Sequence, residues 1–217
     1  MDESPLDSRS SLFARLLNTG FGIVAATLVV LWVVESADSF LLSDRLQANG
    51  IHPRKLNGLD GILWAPLLHD GFGHLASNSI PFVVLGWLVS LRSKAQWAVV
   101  TIVSIAVGGA LTWLFAGLGS DVPTNHIGAS GVVFGYFGAL VGAAFYERRP
   151  ATLAPALVAI FLYGGILAGL VPQSRVSWEG HLFGLIAGVL AARWMSDRSR
   201  PAVDETDPDP SFDWPDI

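Results

Sequence analysis

A serine among small residues, Gly128-Ala129-Ser130-Gly131, opens one apolar run of this chain, and a histidine in Gly180-His181 opens another. A serine hydroxyl is a weak nucleophile until an adjacent base takes its proton, and histidine is the side chain most often used for that. A third apolar run begins with His74 and Asn78, one helical turn apart, both able to donate hydrogen bonds. Donors fixed in a water-poor site stabilise the oxyanion of acyl transfer, and losing one typically costs on the order of 10²- to 10³-fold in rate. Taken singly, serine and histidine in apolar helices are often packing or hydrogen-bonding residues. Together on three segments they point to serine chemistry carried out inside a membrane, where polar groups are expensive and mark function.

The elements that must position these residues are membrane helices. The chain has 217 residues, 52% hydrophobic and only 14% charged, against roughly 25% charge in a soluble domain. Its apolar residues fall in blocks close to the ~20 residues that span a bilayer as a helix, and lipid leaves backbone groups no other partners. Six spans are expected, at about 20–34, 74–91, 97–117, 129–146, 152–170 and 180–196. A cleavable signal peptide at the first block is disfavoured, because Glu35-Ser36-Ala37-Asp38 lacks a small-residue cleavage pattern. Of the 13 lysines and arginines, only Arg45, Arg54, Lys55 and Arg175 fall on one side of this topology. The positive-inside rule then places both termini in the cytosol.

Residues 1–19 read as a cytosolic segment and residues 197–217, rich in Asp and Pro, as a disordered acidic cytosolic tail. The outer loop of about residues 35–73 carries Leu46, Ile51, Leu56, Leu59, Ile62, Leu63 and Trp64. It is too apolar for a tether and is expected to form an ordered interfacial lobe. With no cysteine, disulfides and thiolate metal sites are excluded.

Helix geometry brings the polar residues to one depth. Ser130 lies about 17 residues from the charge at Glu147, and His181 about 16 from Asp197, or ~26 and ~24 Å. His74 and Asn78 lie about 18 and 14 residues from Arg92, or ~27 and ~21 Å, bracketing the other two. Small residues four apart, Gly131, Gly135 and Ala139 in the fourth span and Gly180, Gly184, Gly188 and Ala192 in the sixth, make stripes along which helix backbones can touch. Gly128, just ahead of the first stripe, is expected to join these packing glycines. Packing along these stripes would bring Ser130 and His181 within reach of each other.

Three motifs on their expected spans, Gly128-Ala129-Ser130-Gly131, Gly180-His181-Leu182-Phe183-Gly184 and His74-Leu75-Ala76-Ser77-Asn78, resemble the rhomboid family of intramembrane serine proteases across about residues 20–196. The resemblance implies an all-α, six-helix membrane bundle in which Ser130 is the nucleophile and His181 the general base of a dyad without an acidic third member. It implies an oxyanion site of His74, Asn78 and the Ser130 backbone amide. It also implies transmembrane protein substrates in the lipid bilayer, cleaved near the outer face with small residues, Gly or Pro near the scissile bond. No metal, organic cofactor or nucleic-acid partner is implied. A cap over the cavity would come from about Val171 to Glu179.

The chain departs from the family pattern twice. Many bacterial members carry a Trp-Arg pair in the first outer loop where this chain has Asp60-Gly61, and a tyrosine four residues after the serine where it has Phe134. Other protease classes lack their marks: no His-Glu-x-x-His helix is present, and every aspartate is expected outside the spans. A rhomboid-like binder without activity would usually have lost the serine or the histidine, both kept here. A small transporter would be expected to show inverted repeats and an intramembrane carboxylate, neither of which is evident.

Overall fold

The structure, a computed structural model, describes residues 20–119, 123–173 and 176–198. Most of the expected cytosolic N-terminal segment and acidic tail therefore lie outside the described residues. The described chain is all-α. Six long helices run in sequence: α1, Gly20–Leu42; α2, Gly71–Ser90; α3, Lys94–Phe115; α4, Ser130–Glu147; α5, Pro150–Leu170; and α6, Trp178–Arg198. The first five are long and apolar enough to cross a membrane. The sixth has the length but carries Glu179, Arg193, Asp197 and Arg198 at its ends, and its middle is a Gly/Ala stripe turned to protein.

Local chemistry sets the helix boundaries. Ser93 caps α3, its Oγ accepting the Gln96 N–H at 3.0 Å. At the end of α4, Arg148 adopts a left-handed conformation, and Pro150 opens α5 at a first-turn position that needs no N–H. The first span is longer than expected, because α1 continues through a π turn, Asp38–Leu42. Asp38 is thus inside a helix, correcting its assignment to a loop. It is buried, and its Oδ1 accepts the Leu46 N–H at 2.9 Å. A second π turn, Ser104–Gly108, interrupts α3 where it crosses α6.

The bundle is built around α4. Of its residues 61% are buried against protein, compared with 11% for α5, which makes α4 the central post and α5 the most peripheral helix. Leu75, Phe82 and Leu85 of α2 pack with Val132, Val133 and Tyr136 of α4 in the main core. At the end remote from Ser130, Arg92 forms a two-pronged ion pair with Glu147, at 2.8 and 2.9 Å, and Ser196 Oγ donates to the same carboxylate at 3.1 Å. That knot joins the ends of α2, α4 and α6.

Between α1 and α2, residues 43–70 form the expected ordered lobe, built from 3₁₀ turns at Leu46–Asn49, Leu56–Gly58 and Ala65–Leu67 and one α turn at Gly61–Trp64. Arg54 ties it to the bundle. Its N–H donates to Trp113 O at 3.0 Å, and its guanidinium donates to Ala116 O at 2.6 Å. These carbonyls close the end of α3 and have no helical partners of their own. A Cβ at Gly61 would collide with the Gly50 carbonyl. The Asp60-Gly61 departure therefore belongs to a lobe folded backbone against backbone and held through Arg54.

Candidate active site

Helices α4 and α6 meet at van der Waals contact of their backbones. A Cβ at Gly184 would collide with Gly131 O, and one at Gly188 with Gly135 O. A Cβ at Gly131 would stand 3.4 Å from Gly180 O, and a Cβ at Gly138, outside the expected stripe, would strike Leu185 O. The π turn of α3 seats Gly108 on Gly184, where a Cβ would lie 3.3 Å from its Cα. The α4–α6 contacts thus run through Gly131, Gly135, Gly184 and Gly188.

Gly128 does something else. With φ +113 it lies in the region glycine alone adopts readily, and a Cβ there would stand 2.9 Å from His74 Nε2 and 3.8 Å from Asn78 Nδ2. This glycine was grouped with the packing glycines by sequence. It instead clears space for two side-chain donors beside the entrance to α4.

The close α4–α6 contact sets Ser130 Oγ 2.9 Å from His181 Nε2. The other ring nitrogen, Nδ1, lies 2.9 Å from the Gly169 carbonyl oxygen. A carbonyl can only accept, so Nδ1 carries the proton and Nε2 presents its lone pair to the serine hydroxyl. That carbonyl is available because α5 ends in a 3₁₀ stretch, Gly164–Leu170, whose last carbonyls lack helical partners. Phe134 stacks on the imidazole with ring centroids 4.3 Å apart and planes 8° from parallel. The aromatic face expected at that position is thus present without a hydroxyl.

His74 is oriented from its other side. Its Nδ1 accepts the Asp70 N–H at 3.2 Å, which leaves Nε2–H as a donor. Asn78 is buried and gives one amide hydrogen to His74 O at 3.1 Å, keeping a second to donate. The Ser130 amide belongs to the first turn of α4, where N–H groups have no intrahelical acceptors. A cleft of about 1000 Å³ reaches Ser130, His181, His74 and Asn78, its rim coming from the lobe and the segments before α4 and α6.

Two histidines that the sequence reading left unassigned belong to this region. His126, four residues before Ser130, is buried and lies 2.6 Å from Ser177 Oγ and 3.0 Å from Thr124 Oγ1 through its two ring nitrogens. An isolated antiparallel bridge joins its backbone to Ile51 of the lobe. Burial pushes its imidazole below the ordinary histidine range. His69, just ahead of α2, is wholly buried and accepts the Ala129 N–H on Nε2 at 3.2 Å. Burial, helped by His74, pushes it down to about 4. Neither sits in an apolar helix, where spacing along the chain converts to depth.

A Rhomboid domain family profile matches residues 58–198. An uncharacterized protein of Mycobacterium tuberculosis is 42% identical over 178 residues, covering 80% of this chain and 74% of that protein. An uncharacterized protein of Mycobacterium leprae is 39% identical over 178 residues, covering 80% and 70%. Rhomboid protease GluP of Bacillus subtilis is 27% identical over 129 residues, 58% of this chain and 24% of GluP. Ser130, His181, His74 and Asn78 all lie within the residues matched by the profile. The chain, a multi-pass membrane protein, belongs to the rhomboid family of intramembrane proteases.

Proposed function

We propose that this protein is an intramembrane serine endopeptidase that hydrolyses peptide bonds in or beside transmembrane segments of membrane-protein substrates. The observation that carries this reading is the 2.9 Å contact from Ser130 Oγ to His181 Nε2, with Nδ1 already committed to the Gly169 carbonyl. Ser130 Oγ attacks the scissile carbonyl while its proton passes to Nε2. The negative charge on the former carbonyl oxygen is met by the Ser130 amide, His74 Nε2–H and Asn78 Nδ2–H. His181 then gives its proton to the leaving amine. Water, deprotonated by the same nitrogen, cleaves the acyl-enzyme ester and regenerates the serine.

The Gly169 carbonyl takes the part that a carboxylate plays in a triad. It selects the tautomer and accepts a hydrogen bond from the imidazolium as that forms. Phe134 holds the ring plane. The dyad therefore needs no acidic member, and the reaction needs neither metal nor organic cofactor.

The bias of positive charge supports an orientation with both termini in the cytosol and the cleft toward the outer face. The Arg92–Glu147–Ser196 knot then lies at the cytosolic end.

The direct test is labelling of the protein in liposomes with a serine-reactive fluorophosphonate, alongside cleavage of a transmembrane reporter substrate. Wild type should label and cleave, while Ser130→Ala and His181→Ala should do neither. A folded wild-type protein that neither labels nor cleaves would overturn the protease reading in favour of a non-catalytic binder.

A further inference from the structure

Resting on the protease reading above, we propose that His69 is a positioning residue for the oxyanion site, holding the Ala129 N–H so that the backbone leading into Ser130 stays beside His74 and Asn78. It touches no reacting atom in this arrangement. It acts through its two neighbours.

The backbone ahead of Ser130 is gripped by one short piece of the lobe. Gly128 N–H donates to Ala65 O at 2.8 Å, and Ala129 N–H donates to His69 Nε2 at 3.2 Å. The Ser130 amide is the first N–H along this stretch that the lobe does not engage. At Gly128, with φ +113, the chain swings under the donors of His74 and Asn78. Releasing the Ala129 N–H loosens the peptide ahead of it, and the next plane, which carries the Ser130 amide, is then anchored only through Ala129 O, which accepts the Val133 N–H at 3.0 Å.

The same ring touches the side-chain half of the oxyanion site. His69 lies edge-on to His74, with centroids 5.2 Å apart and planes at 69°. His74 is thereby held between the His69 ring and the Asp70 N–H on its Nδ1. One imidazole thus locates the amide donor through Ala129 and the imidazole donor through His74.

Simple filling of space does not require a histidine here. The residue is 0% exposed, and its Nδ1 makes no hydrogen bond of normal geometry. Burying a polar ring with one edge poorly satisfied is costly, and an apolar residue of similar size would avoid that cost. What an apolar residue lacks is the acceptor for Ala129. Its depressed basicity keeps the ring neutral, and so an acceptor, at the pH of the reaction.

The test compares His69→Leu, which keeps bulk and removes the acceptor, with His69→Gln, whose Oε1 can reach the place of Nε2. In liposomes with a transmembrane substrate, the Leu variant should lose about 10- to 100-fold in kcat, with KM changed less than about twofold. The Gln variant should recover to within about fivefold of wild type, on the same argument that the acceptor is what matters. Where the Leu variant does not fold, His69→Asn replaces it, since its shorter amide cannot reach Ala129. Equal rates for Gln and the acceptor-deficient variant, or wild-type kcat in that variant, would overturn the proposal. Ser130→Ala run in parallel separates the two claims. Cleavage by that variant would sink the protease reading itself, whereas an inert Ser130→Ala beside a fully active acceptor-deficient variant would sink only the role of His69.

Discussion

Replacing Gly184 by alanine should damage catalysis more than its single methyl group suggests. The new Cβ would collide with the Gly131 carbonyl, its carbon lying at 2.8 Å and the Gly131 Cα at 3.0 Å from that Cβ. Neither helix can yield locally, because the obstacle is backbone. The carbonyl oxygen is nearer still, so restoring ordinary contact requires α4 and α6 to part by about 1 Å, and overpacking of this kind typically costs ~1–3 kcal/mol. Gly131 follows Ser130 directly and Gly184 lies one turn beyond His181, so the separation falls where the dyad bridges the helices. The 2.9 Å contact would open by a comparable amount, beyond effective hydrogen-bond length. Misplacing catalytic atoms by ~1 Å can cost ~10²-fold, so kcat should fall by about 10- to 100-fold while KM, set by the untouched cleft, changes little. Gly188→Ala meets Gly135 in the same way, but one turn farther along, about 6 Å at the helical rise. It should lower the melting temperature comparably and spare more of kcat. Steady-state kinetics and thermal melts of both variants decide the matter. Wild-type kcat in Gly184→Ala, or equal kcat losses in the two variants at equal loss of stability, would refute this coupling of packing to chemistry.

Asn78→Ala should lower kcat by about 10²-fold with little change in KM, as expected for a donor used in the transition state; an undiminished rate would remove Asn78 from the oxyanion role. Arg92→Ala strands Glu147, whose side chain is 5% exposed, beside a partner that was 22% exposed. The loss should be about 2 kcal/mol, below the range for a fully buried pair because Arg92 is partly solvated. Below the lowered melting temperature activity should be retained, and an unchanged melt would count against the knot. Acid should also destabilise the fold through His69. Its unfolded imidazole takes up a proton near 6.5 and the folded one only at about 4, so the unfolded state binds more protons between those values and stability falls as pH falls across that window. The full effect is about 3 kcal/mol, read as a drop in melting temperature that is flatter in His69→Gln; identical pH profiles would exclude His69 as the source.

The sequence by itself carried the membrane architecture, the common depth of Ser130, His181, His74 and Asn78, and the stripes that bring α4 and α6 together. Each of these depends on local periodicity. A helix rises by a constant increment and lipid admits no other backbone arrangement, so spacing along the chain converts directly into depth and facing. The sequence also marked the places where the chain departs from the family pattern, at Asp60-Gly61 and Phe134, without showing what those departures do. Tertiary structure alone decided the partners that act through backbone atoms or across long stretches of chain. The Gly169 carbonyl meets His181 because α5 tightens into a 3₁₀ stretch at its end, and a carbonyl has no residue identity for a motif to register. Arg54 reaches across from the lobe to grip the backbone carbonyls at the end of α3. Gly128 lies against His74 and Asn78 instead of a helix interface. His69 and His126 lie in irregular segments, where no periodicity relates position in sequence to position in space, and only the folded lobe brings them against the first turn of α4.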